Sequence, residues 1–362
     1  MRPRRAGHLP LVLASVVLGC GTLLTTCGGA TGGTGVTSEI RLALRQAAPV
    51  AATPSPTPSW PHDGARDTPV TSTGCGQASP VAPGTTAQMS VAVNPATDEG
   101  QTTRTYWVHV PQGYTPARPL MLILVFHGGG GTGIGMEGVT ELSTLADAKD
   151  FLVVYPQGLA YARLGPGYTT WAATGPLDSV TSGVDDLLFV SVLLDQLQRQ
   201  FCVDPRYIDA TGFSAGGAMT SFLTCGLTGR IAAFAPISGD AYQFLGGCLP
   251  QHPTSILEFH GAADPFEVYT GYSAREDPDW RRTGVLEWLT GWAARDGCTA
   301  GPSVFVDAPP AHGEQWTGCR NGQAVAHYLV AGLGHSWPPL IQGQSAAQIM
   351  WTFFQAHPLD HA

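Results

Sequence analysis

The feature that most constrains the fold is a series of short, almost wholly apolar runs separated by helix-capable segments. Leu120–Phe126 reads Leu-Met-Leu-Ile-Leu-Val-Phe, with no polar residue to turn toward water. A strand carries that pattern when both its faces are covered. Phe151–Tyr155, Ile231–Ser238, Ser255–His260 and Val325–Val330 read as further buried strands. Between them, Met136–Ala148, Val184–Phe201, Ala218–Cys225 and Trp280–Ala294 have helical character. A last helix opens with Ser345 and Gln348, a capping-box pair, and buries Ile349, Met350, Phe353 and Phe354. Met89–Val93 and Thr105–Val110 alternate and read as a leading antiparallel pair. Strands alternating with helices predict an α/β chain: a mainly parallel sheet with helices on both faces. In such folds the site lies beyond the carboxyl ends of the strands.

One strand has a marked ending. Tyr207-Ile208-Asp209-Ala210-Thr211 runs into Gly212-Phe213-Ser214-Ala215-Gly216, a Gly-x-Ser-x-Gly turn followed by a helix-capable segment. A serine at such a strand–turn–helix tip is pushed into a cleft, and the following helix points its free N–H groups at it. The flanking glycines are needed where the turn closes on its neighbours. Ser214 is therefore the candidate nucleophile, and the Ala215 amide a candidate oxyanion donor. A second donor is expected from Phe126-His127-Gly128-Gly129-Gly130-Gly131, which ends a buried strand; Gly129 is the candidate. A serine needs a base, and the base an orienting acid, in the chain order Ser, acid, His. His335, in Gly334-His335-Ser336-Trp337-Pro338 just past a strand, is the candidate base, with His260 its rival. Asp264 is the candidate acid and Asp240 the runner-up. Asp185 and Asp186 open a helix, where carboxylates suit the dipole, and read as structural. Trp337 and Trp171 are candidates for lining an acyl or sugar cleft, with a core role the alternative for Trp171.

The regions before the domain differ in composition. Arg2, Arg4 and Arg5 precede the apolar run Leu9–Gly19, the pattern of an export signal. Val17-Leu18-Gly19-Cys20 resembles a bacterial lipobox, which makes Cys20 the candidate lipidation site, so residues 1–27 are read as the export signal. Residues 28–74 are rich in Gly, Pro, Ser and Thr and read as an extended tether, apart from a short helix over Ser38–Ala48. The folded domain is expected over 75–362. A net charge of −9 argues against a nucleic-acid partner and against a membrane held by charge, leaving a lipid anchor as the membrane link. Outside the leader there are six cysteines, Cys75, Cys202, Cys225, Cys248, Cys298 and Cys319. In an exported domain they predict disulfides, with about 15 connectivities open. The expected pairing is Cys75–Cys202, Cys225–Cys248 and Cys298–Cys319, two short local loops and one bridge pinning the domain start near the elbow strand. No Cys-x-x-Cys spacing suggests a metal, and no cofactor is expected.

Taken together, Phe126-His127-Gly128-Gly129, Gly183-Val184-Asp185-Asp186, Gly212-Phe213-Ser214-Ala215-Gly216-Gly217, His260-Gly261-Ala262-Ala263-Asp264 and Gly334-His335-Ser336-Trp337-Pro338 resemble the polyhydroxybutyrate depolymerase family of esterases. That family also holds secreted feruloyl and acetylxylan esterases. The resemblance spans Cys75 to His357 and implies an α/β-hydrolase fold with a metal-free triad of Ser214, Asp264 and His335. The cysteine positions also look like the family's. The resemblance leaves the substrate open: feruloyl- or acetyl-type esters of plant cell-wall polysaccharide, or a small soluble ester, are the expectation, and the leader makes the enzyme secreted or surface-anchored. The alternatives are a polyester depolymerase, a serine peptidase of the same fold, and an inactive surface binding protein.

Overall fold

The computed structural model describes residues 66–173, 183–239, 248, 250–272 and 282–360. The leader with Cys20, the segment Ser38–Ala48 and Asp240 lie outside the described residues.

A ten-stranded sheet forms the body, in the order β1-β2-β4-β3-β7-β8-β9-β12-β11-β10. Its centre is the apolar runs of the sequence: β3 (Leu120–Phe126), β4 (Leu152–Pro156), β7 (Val203–Phe213), β8 (Ala233–Ile237), β9 (Ser255–Gly261) and β12 (Val325–Val330). Neighbours within this group run parallel. All residues of β3, β4, β8, β9 and β12 are buried, as continuous apolar strands require. Antiparallel strands flank them, β1 (Thr85–Ala92) and β2 (Thr103–Val110) at one end, β11 (Ala311–Thr317) and β10 (Ala300–Ala308) at the other. A small ladder of β5 (Leu159–Ala160) and β6 (Thr169–Thr170) stands apart.

Two large apolar clusters pack on this sheet. Alternate residues of β3 divide between them: Leu122, Leu124 and Phe126 join one and Ile123 and Val125 the other, the two-residue period of a strand at work. The first cluster takes Leu187, Phe189, Val190, Leu193, Leu194 and Leu197 from α3 (Asp186–Gln200). The second takes Ile349, Met350 and Phe354 from α6 (Ala346–Ala356). Ser345 and Gln348 close a full capping box at the start of α6.

Several elements differ from the sequence reading. Met136–Ala148 is two helices, α1 (Gly133–Thr140) and α2 (Leu142–Lys149), because Glu141 turns left-handed at φ 58° between them. The helix expected from Trp280 is α5 (Val285–Arg295). The β10–β11 hairpin was not foreseen, and seven of the nine β10 residues are exposed, so burial left no pattern to read. Residues 66–74, assigned by composition to the tether, lie against the domain. The Arg66 N–H donates to Ser191 Oγ at 2.8 Å, the Gly229 N–H to Asp67 Oδ1 at 2.7 Å and the Val203 N–H to Ser72 Oγ at 3.1 Å. These polar side chains cap backbone donors that composition alone does not reveal. Disulfides join Cys75 to Cys202, Cys225 to Cys248 and Cys298 to Cys319.

Candidate active site

Strand β7 ends at Phe213, and α4 (Ala215–Leu223) begins two residues later with Ser214 as its N-cap. Ser214 stands at φ 57°, ψ −123°, a conformation that L residues rarely hold. Its own N–H donates to the Ile237 carbonyl at 2.9 Å and its carbonyl accepts from Ala218 N–H at 2.9 Å. Tight packing forces the strain: any Cβ on Gly216 would strike the Phe126 carbonyl, and one on Gly217 would lie 2.6 Å from the Ile237 oxygen. Glycine is the residue these close approaches admit.

The glycine loop after β3 abuts this turn. A Cβ on Gly128 would lie 3.3 Å from Ser214 Cβ. Two of the loop's amides are spent: Gly130 N–H donates to Thr169 O at 2.7 Å and Gly131 N–H to Gly128 O at 3.0 Å. Among the described residues the Gly129 amide has no such partner, nor has that of Ala215, one of the first-turn donors a helix leaves unpaired.

His127 locks the start of the loop. Gly158 N–H and the Gln157 amide donate to its Nε2 at 2.9 and 3.1 Å. That leaves the proton on Nδ1, which donates to Gly128 O at 2.8 Å. Burial pushes its pKa down to about 4, so the ring is neutral at pH 7. Trp171 donates its indole N–H to the His127 carbonyl at 2.8 Å and is 3 % exposed. This corrects the expectation that Trp171 lines the cleft: the ring is packed between Phe126 and Phe189, and its polar edge braces the loop. Beneath it Arg104 is buried between Asp98 and Asp186. Asp186 also accepts from Ala172 N–H at 2.7 Å, and Asp185 caps α3 through Leu188 N–H at 2.9 Å. Burial raises Asp98 to about 6 in spite of Arg104.

His335 follows β12 and Asp264 follows β9, neighbouring parallel strands. The structure brings them together: Nδ1 of His335 and Oδ2 of Asp264 are 2.8 Å apart. Oδ1 accepts from the Phe266 and Glu267 N–H groups, both at 2.9 Å. Burial acts to raise the Asp264 pKa, yet these three hydrogen bonds hold it below the ordinary carboxylate value. An ionised carboxylate only accepts, so His335 donates from Nδ1, which in the neutral ring leaves Nε2 as the acceptor. The imidazole also packs on Phe213, the residue before Ser214, with ring centroids 4.7 Å apart. Trp337 is half-buried and packs on the cluster that holds Ile237, Val330 and Ile341. His260, the rival base, is 2 % exposed and engaged elsewhere, with Nδ1 3.0 Å from Glu258 and Nε2 2.6 Å from the Glu267 carbonyl.

Two aromatics at the rim were not singled out from sequence. Phe266 is 64 % exposed and meets the His335 ring edge-on at 5.3 Å. Tyr168 is 39 % exposed and roofs Gly129 and Gly130, where any Cβ would run into its ring or hydroxyl. The turn-forming Gly165-Pro166-Gly167 before Tyr168 was the available signal. Among the described residues no group of three His, Cys, Asp or Glu is arranged to hold a metal ion.

No family model matches the sequence. The chain is 27% identical over 256 residues to the bifunctional acetylxylan esterase/xylanase XynS20E of Neocallimastix patriciarum, covering 70% of this chain and 33% of that protein. It is 28% identical over 234 residues to feruloyl esterase B of Piromyces equi, covering 63% of this chain and 42% of that protein. The chain thus spans less than half the length of these relatives. An acetyl xylan esterase from Aspergillus awamori superposes with a TM-score of 0.52 at 15% identity, over 75% of this chain and 99% of that one. The fold is that of the α/β-hydrolases.

Proposed function

We propose that this chain, whose homologues are feruloyl and acetylxylan esterases, is a serine carboxylic-ester hydrolase. Its proposed substrates are feruloyl- or acetyl-type esters on xylan or related cell-wall polysaccharide. The observation that carries the reading is the pairing of His335 with ionised Asp264 beside a strained serine turn.

In the proposed mechanism His335 Nε2 takes the Ser214 proton as Oγ attacks the ester carbonyl. The new C–O bond pushes the carbonyl electrons onto oxygen, which the Ala215 and Gly129 N–H groups hold. Collapse breaks the bond to the alcohol, which leaves with the proton from His335. Water, deprotonated by His335, attacks the acyl-enzyme and releases the acid with Ser214 restored. Asp264 stays ionised throughout, fixing the imidazole and stabilising its cationic form. The three disulfides support export, and secretion or attachment at the cell surface through Cys20 is part of the proposal.

The test is turnover of p-nitrophenyl acetate, methyl ferulate, acetylated xylan and amorphous polyhydroxybutyrate by the parent and by Ser214→Ala. Loss of all hydrolysis in the variant, with a cell-wall ester preferred by the parent, is the expected result. Preference for the polyester would move the substrate to that class. Equal, negligible turnover by both proteins would refute an esterase.

A further inference from the structure

We infer that His260 is a positioning residue for the acid of the site, holding in place the turn that orients Asp264; the inference rests on the proposed role of Asp264.

Strand β9 ends in Glu258-Phe259-His260-Gly261, so Glu258 and His260 point to the same face. Both are buried, at 0 % and 2 % exposure. Nδ1 of His260 is 3.0 Å from Glu258 Oε1, and Nε2 is 2.6 Å from the Glu267 carbonyl oxygen. That carbonyl can only accept, so Nε2 carries a proton and donates it. Glu267 is the residue whose own N–H donates to Asp264 Oδ1. The bond therefore grips the peptide at the far end of the turn whose near end carries the acid. Besides this bond, the turn is tied by Tyr272, whose hydroxyl donates to the Phe266 carbonyl at 3.0 Å, and by Arg282, which reaches that carbonyl at 2.9 Å and the Glu267 carboxylate at 3.3 Å; the His260 bond holds the Glu267 carbonyl itself.

The anchor of this grip is itself fixed. Glu258 faces His327 of β12 in register, with Nδ1 3.8 Å from its second oxygen. His327 Nε2 is 3.4 Å from Glu314 of β11, and Glu314 is 3.6 Å from His312. A row of alternating carboxyl and imidazole groups thus crosses the sheet to Asp307 on β10, 3.2 Å from His312. Tyr269 packs edge-on against His260, at 5.6 Å, and covers His327. His260 is thereby held by neighbours on strand and loop, and its Nε2 is directed at one backbone oxygen.

The experiment uses the full chain and two substitutions that divide the ring's bonds. In His260→Gln the amide nitrogen reaches about as far as Nε2, so the bond to Glu267 is kept. In His260→Asn it reaches only about as far as Nδ1, so the bond to Glu258 is kept and that to Glu267 is lost. With p-nitrophenyl acetate, H260N is expected to lose roughly 10–100-fold in kcat, the range for a misplaced catalytic group, with KM within about threefold. H260Q is expected to keep kcat within about threefold. A structural role alone would damage both, in stability rather than in kcat. The effect of H260N must also vanish in an Asp264→Asn background, because the residue it positions is already disabled. Parent-like kcat in H260N, equal loss in both variants, or a multiplicative loss in the double variant would each overturn the inference. Parent-like kcat in Asp264→Asn alone would overturn the acid itself, and the inference with it.

Discussion

Replacing Asp264 by Asn changes one charge and almost no volume, and the geometry dictates how the amide must sit. Oδ1 accepts two backbone N–H groups at 2.9 Å, and Oδ2 receives the His335 proton at 2.8 Å. If the amide oxygen takes the Oδ1 place, both backbone donors stay satisfied and the NH2 group faces His335. The reverse orientation leaves two backbone donors against a third donor, at about 1–3 kcal/mol for each orphaned group. The first orientation is therefore preferred by at least about 2 kcal/mol, a factor of roughly 30. It forces His335 to accept at Nδ1 and carry its proton on Nε2, where it cannot take the Ser214 proton. The expected loss in kcat is about 10³–10⁴-fold, or about 4–5.5 kcal/mol in the barrier, with KM little changed. Steady-state kinetics on p-nitrophenyl acetate measures this directly, with unfolding temperature as the check on folding. A variant that keeps more than about a tenth of the parent kcat would refute the tautomer argument.

Three further outcomes follow from the same packing. Gly216→Ala places a methyl group against the Phe126 and His127 backbone; a stability loss of about 1–3 kcal/mol with collapse of activity is expected, and a parent-like unfolding curve would contradict it. Asp209, fully buried in β7 on the face of Ile123 and Ala233, has its carboxyl pushed well above the ordinary value by burial, which the Ala233 amide only partly offsets. The folded state then holds a proton that the unfolded chain releases above about pH 3.9, so its contribution to stability falls as pH rises from there through the folded pKa; Asp209→Asn should gain in relative unfolding temperature as pH rises above about 4, and a constant gap would refute the assignment. The Cys75–Cys202 bridge spans 127 residues, against 23 and 21 for the other two; its replacement by alanines is expected to cost about 5 kcal/mol against about 3 for each of the others, and thermal melts that rank them differently would count against the loop-entropy account.

Much of the fold was legible because its central strands are buried on both faces, so composition alone betrays them: Leu120–Phe126 appears in the structure as β3 without a residue's shift. The elements that escaped lack that signal. Strand β10 is exposed along most of its length, and the break between α1 and α2 falls at Glu141, with neither glycine nor proline to mark it. At the site, Ser214 was legible because a strained turn demands glycines around it, and His335 because it follows a strand. Trp171 was ambiguous because an aromatic beside a loop looks the same in sequence whether it faces the cleft or the core; its indole N–H to His127 decides the matter. His260 was set aside as a base by chain order, and order says nothing about which backbone oxygen a ring nitrogen meets.

The docked segment at residues 66–74 has a mechanical consequence. It lies along α3, with the Gly74 N–H on the Gln198 carbonyl at 3.0 Å and Cys75 bonded to Cys202 just beyond. Any pull on the chain before Arg66 is loaded first onto this row of hydrogen bonds and then onto a covalent link at the start of β7. The force thus enters the sheet at the amino end of the strand whose opposite end carries Ser214. A body dragged or held by its leading chain would part at the strap before the serine turn felt the strain.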